Sequence, residues 1–362
     1  MKGSRRHINR YILIVGFLFL LILPNLILIS GWENTENNEN KIFDSPPETQ
    51  FNNPKQLLAD YRDYYEQNFG LRTTLINLYF NIKTKVFKDN PLPNNVVKGA
   101  NGWYFLGNDH NNILNDTFGN VSFTDTELNS ITRNLETING DLKSRNIKFY
   151  IVVPPNKQTI YQEKLPYQWM KHPTRLEQLQ NHLNKRQNLS LILLTPKLMA
   201  EKENKQLYHK TDTHWNDYGA YLGYMATIDV IKNDFEISAI PLSKYSLETK
   251  MIKGDIPALI NQNVQERSLV MKKKDQSKID TLSPAYTFQH YKNRHQNLKL
   301  MMHSDSFSDA WIPFFNESFG ETLYVRKYTL DASVLDKLQP DVVIFQIVER
   351  NLSNLIDLET YK

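Results

Sequence analysis

An aspartate and a histidine lie two positions apart near the middle of the chain, at Asp212 and His214, directly before a helical pattern. In an extended segment, residues i and i+2 project to the same side, so both side chains can face one pocket without having to bond each other. A histidine beside a carboxylate is the base half of a nucleophilic triad, because the carboxylate fixes the histidine tautomer and stabilises the imidazolium. The pair therefore points to nucleophilic catalysis and requires a nucleophile.

Ser306 is the predicted nucleophile. The chain contains no cysteine, which excludes thiol catalysis, a cysteine-based zinc site and a disulfide framework. Ser306 lies just beyond a predicted strand over 298–302 and before a predicted helix over 308–319. A serine in that position presents its hydroxyl at a turn, where nearby backbone N–H groups are free to bind an oxyanion. A serine, a histidine and an aspartate on one rim are the expected set for acyl transfer.

Simpler interpretations of the same residues stay open at this point. Asp212 can cap a turn, and His214 can be a half-buried packing histidine. Ser306 is flanked by Ser304 and Ser308, and serines commonly cap helices. The triad is therefore one hypothesis among several.

Other carboxylates and histidines offer two further alternatives. Asp305 and Asp309 lie beside the serine and compete with Asp212 as the triad acid, or else they polarise the start of the helix. A metal site is conceivable from His209, Asp212, His214 and His303. The spacing of these residues matches no usual zinc signature. We therefore expect neither a metal nor a cofactor.

From residue 124 onward, short apolar strands alternate with helices. The predicted helices cover 124–144, where a capping box begins the helix, and 174–187, 217–232 and 308–319. The predicted strands cover 148–153, 189–194, 298–302, 322–325 and 341–348. Such alternation predicts a mostly parallel sheet that is covered by helices on both faces. Ligands bind at the carboxyl ends of the strands in such a sheet, which is where Ser306 is expected.

Two stretches stand outside this alternation. Residues 233–297 contain the polar run 272–278 and few strong elements, so we interpret them as an insertion near the site and not as a separate domain. Upstream, short helices are predicted over 57–70 and 73–87, followed by a turn and a short aromatic strand over 99–107.

The N-terminus carries the signals of membrane insertion. Basic residues precede an apolar run from Tyr11 to about Ile29, which is interrupted only by Pro24 and Asn25. The run has roughly the 20 residues that a helix needs to cross a bilayer, and its basic flank predicts a cytoplasmic N-terminus. A cleavable signal peptide is disfavoured because the run is long and no A-x-A-like site follows. We predict a cytoplasmic tip with a transmembrane anchor over 1–31, a flexible stalk over 32–56 and a folded domain over 57–362 that contains the 233–297 insertion.

The composition bounds the class of protein. A chain of 362 residues with 40% hydrophobic residues is long enough for one large domain or two ordinary ones. The net charge is only +4, so nothing suggests a nucleic acid as partner.

Taken together, the motifs resemble the alginate O-acetyltransferase family of the AlgJ/AlgX type, whose domain is SGNH-hydrolase-like. The resemblance rests on Asp-Thr-His-Trp-Asn at 212–216, followed by a glycine-containing helix, and on Asp-Ser-Phe at 305–307 after a strand. Other segments similar to that family are 68–72, 102–105, 153–157, 160–161, 254–255, 340–344 and 349–351. The resemblance covers essentially the whole chain from about residue 57.

This resemblance implies a fold and a set of site residues. The expected fold is α/β: an SGNH-hydrolase-like three-layer fold, circularly permuted, with a mostly parallel central sheet, preceded here by one N-terminal transmembrane helix. Asp212, His214 and Ser306 are implied as the triad, and the chain order is no objection because triads recur in several orders. Ser304 departs from the pattern, since many SGNH proteins have glycine there. The Ser306 backbone N–H is the first candidate for the oxyanion hole; further candidates are the side chains of Asn156, Lys157 and Arg326.

The resemblance also implies an activity and its setting. The expected protein is a single-pass bacterial inner (cytoplasmic) membrane protein whose catalytic domain is periplasmic or extracellular. It would acetylate hydroxyls of an alginate-like exopolysaccharide or a cell-wall polysaccharide through acetyl-Ser306, with a multipass membrane-bound O-acyltransferase as the partner that supplies acetyl groups. A polysaccharide acetylesterase with the same triad is one alternative. A non-catalytic polysaccharide-binding scaffold of an export or acetylation complex is another.

Overall fold

The computed structural model describes residues 2–30, 45–47, 53–167, 172–186, 189–275 and 278–358. The chain divides into two compact units, which are residues 1–91 with 258–262 and residues 92–257 with 263–362. The division at 91–92 falls later than the start of the folded domain that the sequence predicts at 57. Most of the predicted stalk over 32–56 and part of the polar run over 272–278 lie outside the described residues.

The described residues of the first unit form three helices, α1 (Lys2–Ser30), α2 (Pro54–Asn68) and α3 (Arg72–Asn81), and a π-helical turn over Ile82–Val86 continues α3. The stretch Tyr11–Ser30 of α1 has a mean hydropathy of 3.0 and is long and apolar enough to cross a membrane. A signal sequence passes the same test, so the topology stays a prediction. Within this stretch the side chain of Asn25 donates a hydrogen bond to the Leu21 carbonyl, which satisfies its polar amide inside the helix.

The second unit alternates strands with helices. Its strands are β1 (Val96–Lys98), β2 (Tyr104–Leu106), β3 (Lys148–Val153), β4 (Ser190–Leu193), β5 (Tyr245–Lys253), β6 (Gln265–Lys273), β7 (Ile279–Ala285), β8 (Phe288–Asn293), β9 (Lys299–Ser304), β10 (Glu321–Val325) and β11 (Val342–Gln346). Its helices are α4 (Ile113–Thr117), α5 (Asp125–Ser144), α6 (Lys157–Ile160), α7 (Arg175–Leu183), α8 (Thr195–Glu201), α9 (Asp217–Ile231), α10 (Ile312–Ser318) and α11 (Ala332–Leu338). Two 3-10 segments that matter for the site span Ser306–Trp311 and Glu349–Leu355.

The central sheet has seven strands in the order β4-β3-β11-β9-β10-β8-β7. The first five run parallel to one another, whereas β8 pairs antiparallel with β10 and β7 pairs antiparallel with β8. The predicted α/β fold with a mostly parallel sheet is therefore confirmed.

The prediction of few regular elements over 233–297 is wrong. The described residues of this segment form four strands: β7 and β8 extend the central sheet, and β5 and β6 form a separate antiparallel pair. Most side chains of β5 and β7 are exposed or only partly buried. Strands with so little buried surface carry only weak apolar alternation, which is the signal that sequence patterns detect.

Helices cover both faces of the parallel part of the sheet. Alternate residues of β3, such as Ile151 and Val153, join a core with apolar residues of α5, α7 and α11, as the two-residue period of a strand requires. Tyr150, which precedes Ile151, points to the opposite face, where its hydroxyl donates a hydrogen bond to Asp234 just beyond α9. The predicted capping box begins α5: the side chain of Thr124 accepts from the N–H of Glu127, whose carboxylate accepts in return.

Two glycines let α9 pack closely enough to fix the segment in front of it. A Cβ at Gly219 would lie 2.2 Å from the Leu207 carbonyl oxygen, so any side chain there would displace the backbone. A Cβ at Gly223 would lie 3.2 Å from the rings of Trp215 and Trp311, so the backbone of α9 packs directly against both tryptophans. The segment that contains His214 is thereby held between α9 and the end of the sheet.

Candidate active site

Asp212, His214 and Ser306 form one hydrogen-bonded chain beyond the carboxyl end of β9. The His214 Nδ1 atom lies 2.8 Å from Asp212 Oδ1, and its Nε2 atom lies 2.7 Å from Ser306 Oγ. With the proton on Nδ1, the ring donates to the carboxylate and accepts from the serine hydroxyl, which is the arrangement a general base needs. The structure thus brings the three predicted residues together.

Asp212 is held as a carboxylate by its histidine neighbour. Burial acts to raise the pKa of Asp212, but hydrogen bonds from the ring and backbone N–H of His214, and its charge, outweigh burial and lower the pKa well below the ordinary value. Asp212 Oδ1 accepts both the ring hydrogen bond and one from the His214 backbone N–H at 2.9 Å. The acid is therefore ionised and its orientation toward the ring is fixed.

A tight loop carries Asp212 and His214. Tyr208 and Trp215 form an antiparallel bridge, and the Asn216 N–H donates to the Leu207 carbonyl, so both ends of the loop are joined. This closure explains why residues two apart share one pocket. Along the chain, α8 separates this loop from β4.

The side chain of Lys157 supports this loop from inside. Its buried ammonium donates hydrogen bonds of 3.2, 3.3 and 2.7 Å to the carbonyls of His209, Lys210 and Asp212. Burial lowers the pKa of Lys157 to about 7, against the nearby negative charges of Asp255, Asp212 and Glu266. With its donors engaged by the loop, Lys157 positions the acid, and the suggested oxyanion role for its side chain is not supported.

Two carboxylates from the 233–297 segment bind the same loop from the other side. Glu266 on β6 accepts from the Thr211 N–H, the Thr211 hydroxyl and the Lys210 N–H at 2.6, 2.7 and 2.9 Å. Asp255 accepts from the N–H and the hydroxyl of Thr213, both at 2.8 Å. Charge-assisted hydrogen bonds of this kind are stronger than neutral ones. The segment interpreted as an insertion is therefore part of the framework of the site.

The turn that presents Ser306 is fixed by neighbouring strands. Asp305 accepts from the Phe307 N–H and the Gln346 side chain through Oδ1, and from the Val348 N–H through Oδ2 at 2.7 Å. Trp215, next to the histidine, donates from Nε1 to the Phe307 carbonyl at 3.0 Å. Asp305 therefore serves the turn and is not the triad acid, and the two halves of the site are locked together.

Arg326 also supports this turn. Its guanidinium contacts the Ser304 hydroxyl at 3.2 Å, the Ser308 hydroxyl at 2.6 Å, the Asp305 carbonyl and the Asp309 carboxylate. Ser304 thus contributes a hydrogen-bonding group where many SGNH proteins have glycine. These contacts engage its terminal nitrogens, whereas its buried Nε has no hydrogen-bond partner within the described ranges, so the oxyanion role of Arg326 stays a prediction. Asp309 is engaged by Arg326 in the same way and does not bind His214.

The other two oxyanion candidates are the Ser306 N–H and Asn156. Across the described part of the chain, no backbone hydrogen bond outside the regular elements uses the Ser306 N–H. Asn156 lies beyond the end of β3, where both polar atoms of its fully buried side chain have no partner and its backbone N–H donates to Glu349 at 2.8 Å. A buried carboxamide without partners is costly, which suits a group that binds ligand. Their participation stays a prediction.

Arg350 is a site residue that sequence reasoning missed, although the segment 349–351 was noted for its resemblance. Its guanidinium carbon lies 5.5 Å from the ring centroid of Phe307, which lies 5.0 Å from the His214 ring centroid. No ion pair of Arg350 is found among the described residues, and burial lowers its pKa. Arg350 is thus a partly buried cation beside the nucleophile turn, with the charges of Asp305 and Asp255 near enough to oppose the effect of burial on its pKa.

Within the described residues, one group of potential metal ligands converges at the site, and it consists of Asp212, His214 and Asp255. This differs from the alternative raised from the sequence: His209 instead contacts Ser268 through Nδ1, and the Nδ1 of His303 contacts the Lys327 carbonyl. Both Asp255 oxygens already accept hydrogen bonds from Thr213. The geometry is that of a hydrogen-bonded triad with a supporting carboxylate.

An α/β fold of this topology, with an Asp-His-Ser hydrogen-bond chain at the strand ends, defines the SGNH-hydrolase-like class. The family model described as SGNH hydrolase-like domain, acetyltransferase AlgX matches residues 96–290, more than half of the chain. The protein therefore belongs to the ALGX family, which confirms the resemblance seen in its motifs. The matched range includes Asp212 and His214 but ends before Ser306, so the nucleophile rests on geometry. No curated protein sequence matches the chain.

Solved structures agree on the fold. Bacillus cereus PatB1 is 20% identical with a TM-score of 0.54, over 73% of this chain and 99% of that one. PatB1 with a sulfonyl adduct is also 20% identical, with a TM-score of 0.57 over 74% and 100% of the two chains. A DHHW family protein from Eubacterium siraeum is 16% identical, with a TM-score of 0.53 over 74% and 97%. At these identities the similarity shows a shared fold.

Proposed function

We propose that this chain is a membrane-anchored, extracytoplasmic serine O-acetyltransferase that acetylates hydroxyl groups of an exopolysaccharide or cell-wall polysaccharide. The observation that carries the proposal is the continuous hydrogen-bond chain from Asp212 through His214 to Ser306. Membership of an acetyltransferase family supports acetyl as the transferred group. The apolar helix Tyr11–Ser30 supports anchoring.

The first half-reaction loads the enzyme. His214 Nε2 takes the proton of the Ser306 hydroxyl as Oγ attacks the acetyl carbonyl, and a tetrahedral oxyanion forms. Collapse of this intermediate breaks the bond between the acetyl carbon and the leaving group, which accepts the proton from His214 and departs. Acetyl-Ser306 remains, and the ionised Asp212 stabilises the imidazolium between the two proton transfers.

The second half-reaction runs the same steps in reverse with a sugar hydroxyl as the nucleophile. His214 removes the proton of that hydroxyl as its oxygen attacks acetyl-Ser306, and then returns the proton to Ser306 Oγ as the ester forms. We infer that the Ser306 N–H and the unpaired Asn156 carboxamide stabilise both oxyanions, and that the cationic side chain of Arg350 adds positive charge beside the nucleophile turn.

Anchoring suits an enzyme of this kind. Acetyl-CoA is cytoplasmic, so an extracytoplasmic enzyme needs its acetyl group delivered across the membrane, and we propose a multipass membrane-bound O-acyltransferase as the donor. A membrane span holds the site near such a donor and raises its effective concentration. The acceptor is the second proposed partner.

Acetyl transfer, hydrolysis and a scaffold role separate in one assay. The full chain in detergent is given 4-nitrophenyl acetate, with and without alginate or chitin oligosaccharides, while nitrophenolate release and O-acetyl groups on the glycan are measured. The proposal predicts acetylated glycan with the wild type and none with Ser306→Ala. Nitrophenolate release with no acetylated glycan indicates an esterase, and no release at all contradicts an enzymatic role.

A further inference from the structure

The two short helices that follow the candidate membrane span expose continuous apolar stripes. On α2, Leu58, Tyr61 and Tyr65 are exposed at helical spacing. On α3 and its π-helical continuation the exposed set is Leu75, Leu78, Tyr79, Ile82 and Val86. Spacings of three, four and seven place each set on one helix face. Neither helix contains a buried residue, so the stripes take no part in the core.

The corner between α2 and α3 packs against the candidate span itself. Gly70 is buried there: a Cβ on it would lie 2.2 Å from the Pro24 carbonyl oxygen and 2.8 Å from Ile27 Cβ and Leu28 N. A side chain at this position would push the corner off α1. The corner is therefore in backbone contact with the last turns of Tyr11–Ser30.

The depth of this contact follows from helix geometry. At about 1.5 Å per residue, Leu28 lies about 3 Å and Pro24 about 9 Å below the end of the span at Ser30. Amphipathic helices in a membrane interface bury their apolar face about 5–10 Å deep. The Gly70 corner, at about 3–9 Å, overlaps that range. Tyrosines, which α2 and α3 both carry in their stripes, favour the same zone.

We propose that the apolar stripes of α2 and α3 lie in the outer interface of the bilayer that Tyr11–Ser30 crosses, so that the lipid surface is their partner. The inference rests on the anchoring in the proposed function. The anchor then comprises one span and a two-helix interfacial foot, defined as residues 54–86. A foot of this kind fixes where the first unit sits relative to the membrane plane.

The absence of native cysteine permits a direct test with single-cysteine variants. Leu58→Cys and Leu78→Cys report on the stripes, and Asp63→Cys is the matched control on the opposite face of α2. Val15→Cys reports on the span, and Met251→Cys on exposed β5 is a water reference. Each full-length variant is spin-labelled in nanodiscs of phosphatidylcholine and phosphatidylglycerol, and its accessibility to oxygen and to a nickel chelate is measured.

The expected result is a severalfold higher oxygen-to-nickel ratio at Leu58 and Leu78 than at Asp63 and Met251, with the highest ratio at Val15. Nickel access at Leu58 and Leu78 equal to that at Asp63, with Val15 in lipid, overturns the foot and leaves anchoring intact. Shielding of both stripe labels from both reagents indicates a protein contact and also overturns it. Nickel access at Val15 overturns anchoring and the foot together.

Discussion

Replacing Asp212 with asparagine removes one charge from the site while keeping the size of the side chain. Asp212 Oδ1 accepts from both the ring and the backbone N–H of His214, and Oδ2 lies 3.3 Å from the Asp255 N–H. An amide oxygen can keep the two bonds to His214, but the NH₂ group then faces the Asp255 N–H, donor against donor. Asp212→Asn therefore loses the negative charge and strains the loop.

The charge sets the size of the effect. Two unit charges about 4 Å apart at an effective dielectric constant of about 20 interact by about 4 kcal/mol, which suits a pair whose side chains are 29% and 22% exposed. This energy stabilises the imidazolium that forms as Ser306 attacks. Since about 1.4 kcal/mol corresponds to a factor of ten in rate, Asp212→Asn should slow acetyl transfer about a thousandfold.

The assay is single-turnover acetylation of the full chain, with Asp309→Asn as the matched control. Asp309 is a second carboxylate near His214, and burial raises its pKa, but it hydrogen-bonds Arg326 and not His214. We expect Asp309→Asn to stay within tenfold of wild type. Equal losses in both variants, or a loss below tenfold in Asp212→Asn with intact folding, would refute the triad reasoning.

Three further predictions concern the framework of the site. Both carboxylate oxygens of Glu266 accept hydrogen bonds from backbone N–H groups, so Glu266→Gln places an NH₂ donor against one of these donors. We expect kcat to fall and the thermal midpoint to drop by an amount equivalent to about 1.5–3 kcal/mol. An unchanged kcat contradicts the role of Glu266. Gly254→Ala places a Cβ 2.1 Å from the Thr211 carbonyl oxygen, so it should displace the loop that carries Asp212 and reduce kcat at least tenfold. Its control is Gly140→Ala, where the added Cβ meets open space and kcat should stay unchanged. Burial and the charge of Asp116 raise the pKa of Glu349 to about 7 from 4.5. The folded state then holds more protons than the unfolded state between these values, so wild-type stability should fall by about 3 kcal/mol as pH rises through this window; thermal melts of Glu349→Gln should lack this fall.

The sequence predicted correctly those features of the fold and the site that depend on residues close together in the chain. The two-residue spacing of Asp212 and His214, the position of Ser306 after a strand and the capping box at Thr124 are all local features. Each reappears in the structure as an element with its expected partner. Local patterns also sufficed for the strands of the parallel sheet, because β3, β9, β10 and β11 are buried on both faces and have apolar sequences.

Long-range partners could not be predicted from the sequence. Glu266 lies 55 residues from Thr211, on a strand with few buried residues. The apolar periodicity of the sequence therefore could not predict this contact. Lys157 was named as a candidate oxyanion donor, and only the fold shows that its ammonium donates to three loop carbonyls. The contacts of Arg326 are long-range in the same way, because the acceptors of its terminal nitrogens lie on the turn that follows another strand.

The measurement that tests the central claim most directly is the intact mass of the full chain after brief exposure to an activated acetyl ester. Wild type, Ser306→Ala and His214→Ala are compared, and labelled peptides are mapped. The account predicts one acetyl group on the wild type, located on Ser306, and none on either variant. An acetyl group that persists in Ser306→Ala, or no adduct and no ester turnover in the wild type, would contradict the account.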